Sequence, residues 1–329
     1  MPQSPVLRTV ALLVSVASAW SAAAADLRVG MIGLDTSHAT AFTDILNNPN
    51  AKDHVSGARV VAAFKGGSPD IESSWSRVEE YTRVLRDKHG VAMVDSIEEL
   101  CRRVDVVFLE SVDGRPHLAQ ARPVIAARKP LFIDKPVAGT LADAAEIFHL
   151  ARAAKVPVFT ASSLRFATNT LAARAGAIGV VTNVWCGSPA HLEPHHPDLF
   201  WYGVHGCESL FTVMGTGCER VKRGRTATGA IEVTGYWPGG RTGTFREIEG
   251  YSGMAEGTKG SLKVGAYEGY APLVAAAIQF FQTGVSPVSP EETLEIFAFM
   301  QAADESKRRD GAEVSLREVL AAVPDWKRP

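Results

Sequence analysis

The sequence predicts an α/β protein in two parts: a doubly wound parallel sheet over residues 26–162, then an α+β domain with a largely antiparallel sheet over residues 163–329. From Asp26 to Ser162, short apolar runs alternate with helical patterns, which is the mark of a parallel sheet covered on both faces. Beyond Ser162 the strand-like segments are punctuated by glycine and follow one another without intervening helices, as in an antiparallel sheet. The chain is long enough for two sizeable cores.

Met1 to Ala25 stands apart from the fold. Arg8 precedes the apolar run Val10 to Trp20, and Ala23-Ala24-Ala25 before Asp26 supplies a cleavage site, so residues 1–25 read as a signal peptide too short for a comfortable membrane span. The expectation is an exported protein, periplasmic or extracellular, with no stable membrane insertion once the signal is removed. A net charge of −2 and the lack of a basic stripe exclude nucleic acid as a partner. Cys101, Cys186, Cys207 and Cys218 show no C-x-x-C spacing, so three disulfide pairings and buried free thiols all stay open.

In the first part the candidate strands are Leu27 to Ile32, Arg59 to Phe64, Val91 to Val94, Val106 to Leu109, Leu131 to Ile133 and Val156 to Thr160. Helix starts are marked by the Ser96/Glu99 capping box, by Pro116 in a first turn and by Thr140 with Asp143. The opening stretch, LRVGMIGLDTSH, reads as a Rossmann-like strand and phosphate-binding turn in which only the first glycine, Gly33, is kept; Asp35 and His38 hold the second and third positions. Thr36 and Ser37 are capping residues, and Ala39, Ala41, Phe42, Ile45 and Leu46 form the apolar face of a helix whose first N–H groups face an anion. Like charges about 4 Å apart repel by roughly 4 kcal/mol at an effective dielectric near 20. Asp35 is therefore expected to turn from any phosphate and cap the helix. A strand-turn-helix without a ligand also satisfies this stretch.

Ligands of a doubly wound sheet sit beyond the carboxyl ends of its strands. The turn after Phe64, Lys65-Gly66-Gly67-Ser68, has no acidic residue to hold ribose hydroxyls; it suits a 2′-phosphate or a solvated loop equally. After Leu109 comes Glu110 through His117, and after Ile133 comes Asp134-Lys135-Pro136.

Here the chain resembles the Gfo/Idh/MocA family of sugar and cyclitol oxidoreductases. Members carry Glu-Lys-Pro after the fifth strand, matched by Asp134-Lys135-Pro136, and a loop ending in His after the fourth, matched by Pro116-His117. Leu164-Arg165-Phe166 and the Gly257 to Leu262 turn extend the match over the whole mature chain. The resemblance implies NAD or NADP in the crevice formed by Gly33 to His38 (with Asp35, Thr36 and Ser37), Lys65, Ser68, Glu110, His117, Asp134 and Lys135.

The second part carries strand patterns at Val180 to Gly187, Ala230 to Trp237, Arg241 to Ile248 and Ser261 to Val264, then helices near Pro272 to Gln282, Pro290 to Lys307 and Leu316 to Val323. The richest chemistry lies between His191 and Glu208. The family places an Asp-x-x-x-His pair there against the nicotinamide; the His is matched by His205, Trp201 stands at the Asp position, and Asp198 or Tyr202 is the replacement. Lys135, His205 and Tyr202 are thus the implied catalytic group. Alcohol oxidation needs a base near its operating pKa, which a Lys or His supplies. His191, Glu193, His195, His196 and Asp198 have ligand chemistry, yet Pro194 and Pro197 break any helical pairing, and no metal is expected. With Arg165, Trp201, Tyr202 and His205, the residues His195, His196 and Asp198 are expected to line a carbohydrate site, aromatic faces meeting sugar rings.

The function expected is hydride transfer between NAD(P) and a hydroxyl of a sugar, sugar acid or cyclitol. Two other readings stay open: a glycoside-cleaving enzyme that uses transient oxidation by nicotinamide, and a sugar-binding relative without catalysis. The C-terminal sheet offers a face for self-association.

Overall fold

The computed structural model describes residues 25–323, so the expected signal segment lies almost wholly outside the described residues. The first half runs β1 (Leu27–Ile32), α1 (Ser37–Asn47), β2 (Ala58–Phe64), α2 (Glu72–Trp75), α3 (Val78–Arg83), β3 (Ala92–Val94), α4 (Ile97–Arg103), β4 (Val106–Leu109), α5 (His117–Ala126), β5 (Leu131–Ile133), α6 (Leu141–Ala154) and β6 (Val158–Thr160). Its six strands are parallel, in the order β3-β2-β1-β4-β5-β6. That order changes direction between β1 and β4, which opens a crevice beyond their carboxyl ends. Capping follows the sequence: Ser96 Oγ accepts from Glu99 N–H at 3.1 Å, and Thr140 Oγ1 from Asp143 N–H at 3.0 Å.

The second half holds α7 (Thr168–Arg174), β7 (Val181–Ser188), α8 (Val204–Met214), β8 (Arg220–Arg225), β9 (Ile231–Trp237), β10 (Arg241–Glu247), β11 (Ser252–Gly257), β12 (Gly260–Val264), α9 (Ala271–Thr283), α10 (Pro290–Arg308), β13 (Val314–Ser315) and α11 (Leu316–Ala321). Its sheet, β12-β11-β7-β10-β9-β8-β13, is antiparallel except where β7 pairs parallel with β10. The strands β8 and β11 carry no clear apolar alternation in sequence and are set by pairing with their neighbours. The expectation of strands without intervening helices is corrected by α8. All eleven of its residues are buried, so it has no polar face to betray an amphipathic period.

The two halves share a core. From the second half, α9 lays Leu273, Val274, Ala277, Ile278 and Phe280 into the apolar cluster of β1, β4, β5 and α1, and Phe280 meets Phe159 edge-on at 4.7 Å. Truncating a buried Phe of this kind costs about 3–5 kcal/mol. All four cysteines are buried and unpaired. No helix among the described residues is long and apolar enough to cross a membrane.

Candidate active site

Where the two halves meet beyond β1 and β5 lies a polar cavity of about 310 Å³, within the range of small-ligand sites. The first half contributes Ser37 and His38 from the opening turn of α1, Arg77, and Lys135 after β5, and Ser163 and Leu164 come from the junction that follows β6. The second contributes Tyr202, His205, Tyr251, Tyr267 and Tyr270. Lys135 and His205, separated by 70 positions in the sequence, thus face one space, and Lys135 Nζ lies 5.7 Å from the centre of the Tyr202 ring.

His205 is held by Ser162, whose Oγ lies 2.7 Å from Nδ1 while accepting Leu164 N–H at 3.2 Å. Burial drives the His205 pKa well below the usual imidazole value, with the Lys135 and His38 charges pushing the same way. The ring is therefore neutral near pH 7. Tyr202 and Tyr251 exchange a hydroxyl hydrogen bond at 3.2 Å, and Tyr251, Tyr267 and Tyr270 form an aromatic wall with centroids 5.4 to 6.0 Å apart.

Behind His38 lies a buried acidic pair. His38 Nδ1 lies 2.6 Å from Asp134 Oδ2, stacked between Phe42 and the edge of Tyr270. Glu110 is fully buried behind them, and neither of its oxygens nor Asp134 Oδ1 has a hydrogen-bond partner. Burial, then the Asp134 charge, raises Glu110 well above the ordinary carboxyl range, whereas Asp134 is held below it against its own burial by His38 and Lys135.

The phosphate turn departs from expectation in one respect. Thr36, not Asp35, caps α1, its Oγ1 accepting His38 N–H at 3.4 Å. Asp35 is fully buried and accepts from Ser74 Oγ at 2.6 Å and Val112 N–H at 3.1 Å, so it is turned from the helix start as the repulsion argument requires, but as a tie between turns. Gly33, at φ 88°, is needed for a packing reason: a Cβ there would lie 2.3 Å from Ser111 N.

Several other expected ligands are engaged by the protein itself. Arg165 is fully buried between Glu208 and Glu292, a structural ion cluster that joins α8 to α10. Asp198 pairs with Arg223 at 2.6 Å and Lys307 at 2.8 Å, too far engaged to replace the missing acid. His117 is fully buried, its ring nitrogens 3.2 and 2.8 Å from the Val137 and Ser111 carbonyls, and it does not line this cavity. Lys65 pairs with Glu79 at 2.9 Å on the surface. Trp201 packs on His196 at 5.0 Å and stands outside the cavity lining, and His195 binds Glu193. His196 is buried with its Nε2 3.1 Å from Asp113 Oδ1 and its Nδ1 2.8 Å from Glu193. The cavity residues missed from sequence are Arg77, Ser163, Leu164, Tyr251, Tyr267 and Tyr270; Ser163 and Leu164 adjoin Arg165, and the others sit in segments without a motif.

A dinucleotide fits this frame at one end. The exposed Ser37 on the first turn of the 11-residue α1 would hold a phosphate, with His38, Lys135 and His205 around the adjoining space. At the other end the turns after β2 and β4 are tied together. Ser68 Oγ donates to Asp113 at 2.6 Å, and Asp113 also holds Arg115 and His196. A cofactor stretched over both turns must part that link.

Residues 27–162 match the family described as an oxidoreductase family with an NAD-binding Rossmann fold, Gfo/Idh/MocA. No curated protein matches by sequence. Among solved structures, a probable dehydrogenase from Thermotoga maritima is 21% identical, with a TM-score of 0.71 over 89% of this chain and 100% of that one. Myo-inositol dehydrogenase from Lactobacillus casei, crystallised with NAD(H) and myo-inositol, is 18% identical, with a TM-score of 0.68 over 88% and 97%. Scyllo-inositol dehydrogenase of the same species, with NAD(H) and scyllo-inositol, is 15% identical, with a TM-score of 0.70 over 89% and 100%. With six parallel strands in the doubly wound order and a second, mostly antiparallel sheet behind them, the chain has the fold of these dehydrogenases, and its residues 27–162 match the Gfo/Idh/MocA oxidoreductase family.

Proposed function

We propose that this protein is an NAD(P)-dependent oxidoreductase acting on a secondary hydroxyl of a sugar, sugar acid or cyclitol. The observation that carries the reading is the placing of Lys135 and a neutral His205 on one cavity from two domains. The nicotinamide, when bound, accepts or supplies the hydride. The chain's own groups handle the proton: His205 takes it from the substrate hydroxyl, and Lys135 holds the oxygen by hydrogen bond as negative charge builds there. A buried imidazole beside a lysine is costly to charge, so proton removal is favoured only in concert with departure of the hydride. The tyrosine wall suits a ring-shaped, hydroxyl-rich substrate, and Arg77, which forms no ion pair among the described residues, suits a carboxylate or phosphate on it. The test is incubation with NAD+ or NADP+ and a panel of cyclitols, aldoses and aldonic acids, read by reduced-nicotinamide absorbance.

A sugar-binding protein without catalysis is the second reading, favoured by the Ser68–Asp113–His196 link across the cofactor path. Carbohydrate binding with no retained or exchangeable nicotinamide would select it. We also propose export, with a mature N-terminus near Asp26; N-terminal sequencing that found Met1 on cytoplasmic protein would refute it.

A further inference from the structure

Beside the cavity lies a feature that proton transfer does not use. His38, Glu110 and Asp134 each present one ligand atom within 4.8 Å of the others, and all three residues are buried. Glu110 is fully buried with both oxygens unpartnered, and Asp134 Oδ1 is unpartnered as well. Buried carboxylates without hydrogen bonds are rare because water no longer compensates them. Two of them side by side, with one imidazole and one neighbouring ammonium on Lys135, call for a further positive charge or a proton.

We propose that His38, Glu110 and Asp134 bind a divalent first-row cation of the zinc or manganese class beside the cavity. One imidazole nitrogen and two carboxylate oxygens are a donor set these ions accept. The two carboxylate charges neutralise the ion. Bonds of about 2.1 Å put tetrahedral ligand atoms roughly 3.4 Å apart, so atoms within 4.8 Å of one another need close by at most about 1.4 Å on binding. The His38 Nδ1–Asp134 contact at 2.6 Å is the arrangement the pair takes without an ion. Of the three, His38 also lines the cavity, which is the side from which an ion would reach the group. Phe42 and Tyr270 pack against the His38 ring and fix its plane.

The inference rests on none of the hydroxyl-oxidation reading, and its test uses neither nicotinamide nor substrate. The full mature protein, stripped with chelator and checked for native circular dichroism, is titrated with ZnSO4 and separately with MnCl2 by calorimetry. One ion per chain is expected for at least one metal. Glu110→Gln keeps the shape and can still share hydrogen bonds, yet should weaken binding at least about 100-fold, since losing a residue that only orients a ligand already costs up to that factor. His38→Gln should do the same, and His191→Ala with His195→Ala should leave binding unchanged. A Co2+-loaded wild-type protein, whose visible bands report nitrogen and oxygen ligation, serves if Glu110→Gln fails to fold, because His38→Gln must then move those bands. Absence of stoichiometric binding by the folded wild type overturns the proposal, as does binding that survives His38→Gln unchanged; the group would then be a carboxyl–carboxylate pair sharing a proton.

Discussion

Ser162 Oγ lies 2.7 Å from His205 Nδ1, a hydrogen bond that crosses from the end of the parallel sheet to the first turn of α8. It fixes the imidazole plane and leaves the other ring nitrogen for the cavity.

That neutral ring sets the first prediction. Because burial, then Lys135 and His38, depress the His205 pKa, the base is competent down to well below pH 6.5, and the acid limb of turnover should fall there. Lys135→Met removes one of the depressing charges, so the His205 pKa should rise, observable by NMR titration of its ring. Base assistance is worth about 100- to 10,000-fold, so Lys135→Met and His205→Ala should each lower turnover by at least the smaller factor. The double variant should lose less than the product of the singles. Full activity in His205→Ala would remove it from the mechanism.

Asp35 is bonded to Ser74 and Val112 and directed away from the start of α1. Asp35→Gly should therefore lower stability to urea by about 1–3 kcal/mol, the usual loss when a buried charged hydrogen-bond partner is removed. Affinity for NAD(H) should be intact or improved. Abolished binding in a folded Asp35→Gly protein would make the carboxylate a direct ligand.

Ser68 donates to Asp113 across the two turns, and His196 Nε2 lies 3.1 Å from the same carboxylate and braces it. His196→Ala should raise NAD(H) affinity several-fold by loosening that tie, and unchanged affinity would mean that the cofactor passes without disturbing it. Although burial opposes a charge on His196, Asp113 and Glu193 raise its folded pKa above 6.5. A raised folded pKa stabilises fully below the unfolded value and ceases to do so as pH rises through the folded one. The stability difference between wild type and His196→Ala, about 1–3 kcal/mol at pH 6, should therefore shrink in alkali.

Trp201 was expected to be the sugar wall, and the cavity instead uses Tyr251, Tyr267 and Tyr270. Tyr267→Ala should raise KM more than it lowers kcat, while Trp201→Phe should leave both nearly unchanged. The reverse pattern in steady-state kinetics would put the substrate on the His191 to Trp201 loop.

What the sequence determined by itself was periodic and local. Alternating apolar runs specified the six parallel strands to within two residues at each end, and Ser96 and Thr140 announced their helices through side chains that cap backbone three residues on. Lys135 and His205 were legible because each stands at a strand end or helix start with a recognisable pattern around it. Only the tertiary structure decided which charged groups were free. Arg165, Asp198 and His117 have the chemistry of ligands, and each is consumed by partners that include one 20 to 127 positions away. The same long-range closure gathered the three tyrosines from unpatterned loops and set His38 beside Asp134. Local sequence encodes backbone preference, whereas the availability of a side chain depends on burial and on partners that meet only when distant segments pack.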